Sequence, residues 1–171
     1  MKFESQIYYP NKDRVNISKS QKYFYGGGIL LLIFCLLAII NQDDWKNDSL
    51  DTFFKTCCFI TLGIFAYGKL SAIKSKEKLN GVLNGKIKIS REFIEIDENK
   101  FEIKKVENLE IRIKDYNGKY RNPGLYYVGP WYMAGINNIL KFKYRNQIFE
   151  NRFKINSEKE FELLKKLKSE L

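Results

Sequence analysis

Chemistry-capable side chains gather in only a few places along the 171 residues. Glu92, Glu95, Asp97 and Glu98 crowd one short stretch, and the two-residue spacing of Glu95 and Asp97 puts both on one face of a strand. Such a pair suits general acid–base work or Mg²⁺ ligation. The chain has no histidine, which removes His-based triads and His metal sites. No G-x-S-x-G, Cys-x-x-Cys, P-loop or H-E-x-x-H pattern occurs. The carboxylates fit better as the wet side of a hairpin beside Lys86 and Lys88. The chain is therefore expected to be non-enzymatic, with no catalytic residue, metal or cofactor.

Cys35, Cys57 and Cys58 all lie inside apolar runs, away from any oxidising aqueous loop, and adjacent cysteines rarely close on each other. Two vicinal thiols could bind a soft metal or carry a palmitoyl group. Small packing residues between helices are the simpler reading. The segment Tyr116–Asn137 packs six Tyr and Trp rings among four glycines and two prolines. Tyr126, Tyr127, Trp131 and Tyr132 are its candidates for a protein-partner or self-association contact. The competing reading has the rings capping a sheet while Gly and Pro make the turns.

The elements that position these residues start with two apolar runs. Tyr23–Ile40 is eighteen residues without a charge. As a helix it spans about 27 Å, close to a bilayer core. Leu50–Ile73 holds a second uncharged stretch flanked by Lys55 and Lys69, whose side chains can reach opposite headgroup layers. A signal peptide is disfavoured because Asn41-Gln42-Asp43-Asp44 follows the first run in place of a small-residue cleavage site. Helices spanning 23–40 and 52–73 are expected, with a short external loop. Five basic residues lie in 1–22, one in the acidic connector 41–54, and four in 69–78. That asymmetry predicts both termini in the cytoplasm.

Residues 74–171 carry 22 basic and 14 acidic side chains. Asn80-Gly81 and Asn84-Gly85 mark turns, after which the period becomes two. Lys86–Ser90, Phe93–Asp97, Phe101–Lys104 and Leu109–Lys114 alternate as strands, the last ending at Asn117-Gly118, which favours a tight hairpin. Ile139–Tyr144 and Ile148–Ile155 pair across Arg145-Asn146-Gln147. A strand in Tyr126–Met133 is opposed by Pro130. Ser157 and Glu160 fit a capping box, and Phe161, Leu164, Leu167 and Leu171 make one apolar stripe. The fold class is α+β: a transmembrane helical hairpin, then an antiparallel β-sandwich or barrel of about seven strands with a C-terminal amphipathic helix. Residues 1–22 read as a separate basic segment and 80–171 as a self-contained module.

That element order, with the fragment Val106-Glu107-Asn108-Leu109-Glu110-Ile111, resembles the bacterial membrane-anchored PH-like domain proteins of YcxB type. The resemblance implies a PH-like module at the cytoplasmic face of a bacterial inner membrane. It also puts Lys86, Lys88 and Arg91 where lipid-binding PH modules carry basic residues. Attraction to anionic lipid contributes about 1 kcal/mol for each such side chain near the surface. Nucleic acid is disfavoured because the net charge of +10 is spread over every strand and only six residues are arginine. The expected role is to bind a protein partner or regulate a membrane assembly. A pore-forming or membrane-disrupting effector and an immunity protein against a membrane toxin are the alternatives.

Overall fold

Phe3, Ser5 and Ile7 alternate with Lys2, Glu4 and Gln6, and the alternation makes Lys2–Pro10 a strand, β1, with Phe3 and Ile7 in the core. The computed structural model describes residues 1–171 apart from Lys12, Arg14, Val15, Asn16, Leu125 and Tyr126, with Asp44 described by its backbone alone. The chain forms two compact units: Met1–Asn16, Lys76–Arg121 and Tyr132–Leu171 make a sheet unit, and Ile17–Ser75 with Asn122–Trp131 a helical unit.

In the sheet unit, β1 is followed by β2 (Gly81–Ser90), β3 (Phe93–Ile96), β4 (Asn99–Glu102), β5 (Glu107–Arg112), β6 (Asn117–Tyr120), β7 (Tyr132–Ala134), β8 (Asn138–Tyr144) and β9 (Gln147–Phe153). Seven of them form an antiparallel sheet in the order β4-β3-β2-β1-β9-β8-β5, while β6 and β7 pair separately. β1 lies between β2 and β9: Phe3 faces Ile89, Ser5 faces Ile87, and Ile7 faces Phe153. The pairing of Pro10 with Gly81, continued by the Asn11 N–H donating to Asn80 O at 2.8 Å, joins residues far apart in the chain. Gly85, at φ +75°, makes the bulge that shifts the β1–β2 register.

The terminal helix α3 (Glu158–Lys168) forms because Ser157 caps it, accepting from the Glu160 N–H at 3.3 Å. Its stripe of Phe161, Leu164 and Leu167 is buried against Phe3, Ile89, Ile111, Phe142, Phe153 and Ile155. Lys165, Lys166 and Lys168 occupy its last turn, where they complement the helix dipole.

In the helical unit, α1 (Lys19–Ile40) starts at a full capping box, Ser18 with Gln21. A wide π turn over Asn41–Trp45 ends it, and Lys46 at φ +50° reverses the chain. Asn47 then caps α2 (Asp48–Ile73) by accepting from the N–H groups of Ser49 and Leu50. Buried Asn41 closes this turn, donating to Asn47 O at 3.0 Å. Both helices are long and apolar enough to cross a membrane, with mean hydropathy 2.4 and 1.5 and only 6% and 17% of those positions buried.

The structure corrects three expectations. Residues 1–22 are not a separate segment, because β1 fills the middle of the sheet and Lys19 already belongs to α1. For the same reason 80–171 is not self-contained. Asn117-Gly118 does not close a hairpin on the preceding strand: β5 pairs with β8, and Asn117 starts β6. Local turn preference yields there to a buried polar cluster. Asn138 Oδ1 accepts from the Lys114 and Asp115 N–H groups at 2.8 and 3.2 Å, and Asn138 Nδ2 donates to Asp115 O and Gly135 O at 3.0 Å each. Asp115, itself fully buried, accepts from the Asn137 N–H and Nδ2.

A fragment 80–171 should show no cooperative thermal transition. Residues 1–11 joined to 80–171 through a short linker should restore one, since the native Asn11–Asn80 pairing brings those ends together. Replacing Asn138 with Ala should cost about 3 kcal/mol in urea unfolding, because it removes one of the three donors to the buried Asp115 carboxylate and leaves four backbone groups without their Asn138 partner.

Candidate functional site

The aromatic-glycine segment leaves the sheet at Asp115 and returns at Asn138, so the buried cluster fixes both of its ends. Between them the rings divide by position. Tyr116 turns inward and meets Phe161 edge-on at 5.3 Å, capping the core. Burial beside the carboxylate of Glu158 holds its phenol above the ordinary value. Tyr120 and Tyr132 are partners across the β6–β7 ribbon, with ring centroids 5.9 Å apart and 47% and 38% of their surfaces exposed.

Glu77 fastens the ribbon. Its N–H donates to Tyr132 O at 2.8 Å, its Oε2 accepts from the Ala134 N–H at 3.2 Å, and its Oε1 meets Arg121 at 3.5 Å. Gly135, at φ +78°, is required here, because a Cβ would sit 2.3 Å from Ile155 O. The outcome is a short platform, tied down by Glu77, carrying two exposed phenol rings.

The four partner candidates therefore separate. Tyr132 is on the platform. Tyr127 and Trp131 are half-buried and belong to the helical unit, where the Tyr127 carbonyl accepts from Lys69 Nζ at 2.6 Å. Tyr126 lies outside the described residues. Tyr120, not among the four, joins Tyr132 through the cross-strand register, which no local signal in the sequence marks.

The basic trio does not form one patch. Lys86 is exposed, but Lys88 pairs with Glu95 across β2–β3, and Arg91 binds Glu170 beyond α3 at 2.7 Å. The carboxylate pair is likewise engaged in structure. Glu95 is the partner of Lys88, while Asp97 sits at φ +53° in the β3–β4 turn with its Oδ1 accepting from the Lys86 N–H at 2.8 Å. Gly85 leaves the space that Asp97 fills: a Cβ there would lie 2.5 Å from Asp97 Oδ1. Among the described residues no three His, Cys, Asp or Glu side chains gather to hold a metal ion.

No protein-family model, curated protein or solved structure matches the chain.

In the helical unit the two helices approach along a seam of small residues. A Cβ on Gly27 would sit 2.8 Å from the Phe65 backbone nitrogen, and one on Gly68 would sit 2.4 Å from that of Phe24. Phe24 and Phe65 lie across this seam with centroids 4.3 Å apart. The outward faces carry bare apolar side chains, Phe59 at 76% and Leu32 at 67% exposure among them. Exposed Tyr23, Tyr25 and Tyr67 ring one end of the hairpin and exposed Trp45 marks the other.

The Lys88 hydrogen bond holds the Glu95 carboxyl below its ordinary value, and the same bond holds the Lys88 ammonium above its own. The pair's contribution to stability is thus present above the ordinary glutamate value and lost as pH falls through the depressed one. On the alkaline side it is present up to the ordinary lysine value and lost as pH rises through the raised one. Glu95→Gln should flatten both limbs of a melting-temperature profile against pH while leaving the fold intact by far-UV circular dichroism. The effect should be small and should shrink in high salt.

Proposed function

We propose that this chain is a non-enzymatic, two-span protein of a bacterial inner membrane that presents a PH-like module to the cytoplasm as a binding platform for a protein partner. The strand order carries this reading. Counting only the seven strands of the large sheet, the order is 4-3-2-1-7-6-5 with a helix after the seventh, the arrangement expected of a PH-like module. The helical hairpin departs after the first strand and returns before the second, at the Pro10–Gly81 pair.

Membrane insertion is supported by more than hydropathy. The tyrosines at one end of the hairpin and Trp45 at the other are separated by about 30 Å of apolar helix, the spacing of the two interfacial layers of a bilayer. Lys19, Lys22, Lys69 and Lys74 lie at the tyrosine end, which supports placing that end at the cytoplasm. The hydroxyls of Thr52, Thr56, Thr61 and Ser71 donate to carbonyls of their own helix, an arrangement that favours an anchor over a polar pore lining.

The working surface in this reading is the Tyr120–Tyr132 platform, an exposed aromatic pair of the kind that anchors protein interfaces. Replacing both tyrosines with Ala should weaken capture of the partner from mild-detergent extracts, or self-association, by about 30-fold, equivalent to ~2 kcal/mol. The melting temperature should change little. A large loss of stability with unchanged association would assign the rings to the fold. A reporter that fluoresces only in the cytoplasm should be dark at Asp48 and bright at Leu171, and the reverse pattern would overturn the orientation.

A further inference from the structure

Two thiols from different helices meet half-way along the hairpin. Cys35 Sγ on α1 lies 3.6 Å from Cys58 Sγ on α2. Cys57, one residue and roughly 100° around the helix from Cys58, makes no such thiol contact among the described residues. Cys35 continues the seam in which Phe24 meets Gly68 and Gly27 meets Phe65, so its pairing follows from the antiparallel register of the two helices. Ten residues separate Cys35 from Tyr25 on one side and from Trp45 on the other, which sets it near mid-depth, about 15 Å from each aromatic layer. Cys35 is also exposed at the helix surface, accessible to a molecule dissolved among lipid chains.

A disulfide has its sulfurs about 2.05 Å apart, so closure here requires an approach of roughly 1.5 Å. We propose that Cys35 and Cys58 form a redox-closable dithiol whose oxidant is a lipid-soluble quinone. Both S–H bonds break and one S–S bond forms; two electrons and two protons pass to the quinone, which leaves as the hydroquinone. The product ties α1 to α2 covalently at mid-span and leaves Cys57 a free thiol. The choice of oxidant rests on the membrane reading of the hairpin, whereas the choice of thiols rests on the helix packing alone.

The test uses the full chain in lipid vesicles and tetramethyl-p-benzoquinone, whose fully substituted ring blocks addition of thiols. Free thiols are counted after denaturation by the gel shift of a polymer-linked maleimide. The three thiols of the reduced chain should fall to one, with the chain still running as a monomer on a non-reducing gel. Cys57→Ser should fall from two thiols to none, and Cys35→Ser and Cys58→Ser should each keep two. Closure in Cys58→Ser, disulfide-linked dimers, or retention of all three thiols under both the quinone in vesicles and an aqueous oxidant in detergent would overturn the pairing. Closure by an aqueous oxidant in detergent, without closure by the quinone in vesicles, would overturn the oxidant. Rapid labelling of Cys35 by a membrane-impermeant maleimide in intact, reduced vesicles would instead refute the membrane reading and leave the pairing standing.

Discussion

The pairing of Lys2–Pro10 on both edges is the constraint from which the rest of the sheet unit follows. Without that strand, β2 and β9 face each other across an empty lane, and the sheet becomes two separate pieces, β2–β4 and the β5-β8-β9 group. Phe3 and Ile7 also supply core surface from the centre of the sheet. Phe3 meets Phe153 edge-on at 5.8 Å, and both are buried with the α3 stripe. The Ser5 hydroxyl donates to the Lys154 carbonyl, and the Lys154 N–H donates to Gln6 O, extending the β1–β9 contact beyond the ladder. Sheet continuity and burial of the terminal helix thus depend on one nine-residue strand.

A second constraint acts on the aromatic segment. An acidic side chain with no exposed surface is tolerated only where donors surround it, and Asp115 has them from Asn137 and Asn138. The cluster sets where β5 ends and β8 begins. Of the excursion between them Tyr116 packs on the core, and the β6–β7 ribbon is built entirely within it.

How much of this was legible in the sequence depends on how far each residue reaches. The terminal helix was, because Ser157, Glu160 and the Phe161–Leu164–Leu167 stripe act within a few residues of one another. The β8–β9 hairpin was legible for the same reason, and the hairpin helices announced themselves by composition. β1 was not, although Phe3 and Ile7 alternate cleanly: a short alternating run gives no sign of partners near positions 87 and 153, and its flanking cations drew attention to charge. The Asn117-Gly118 preference was read correctly as local chemistry, and a buried partner twenty residues away overrode it. At the candidate site, Tyr132 could be picked out by type, but Tyr120 became its companion only through pairing. Lys88 and Arg91 resembled a free basic patch until Glu95 and Glu170 were brought beside them.

Because the helical hairpin interrupts the sheet between neighbouring strands, the sheet unit is held to it by two strands of chain rather than one. A protease that cuts once in the segment after Pro10, or once in the segment before Gly81, releases nothing, since the other connection survives and β1 stays clamped between β2 and β9. Shedding of the sheet unit would take two cuts and the withdrawal of Asn122–Trp131 from the helical unit, and the nine residues of β1 would leave with it as a separate, non-covalently held peptide.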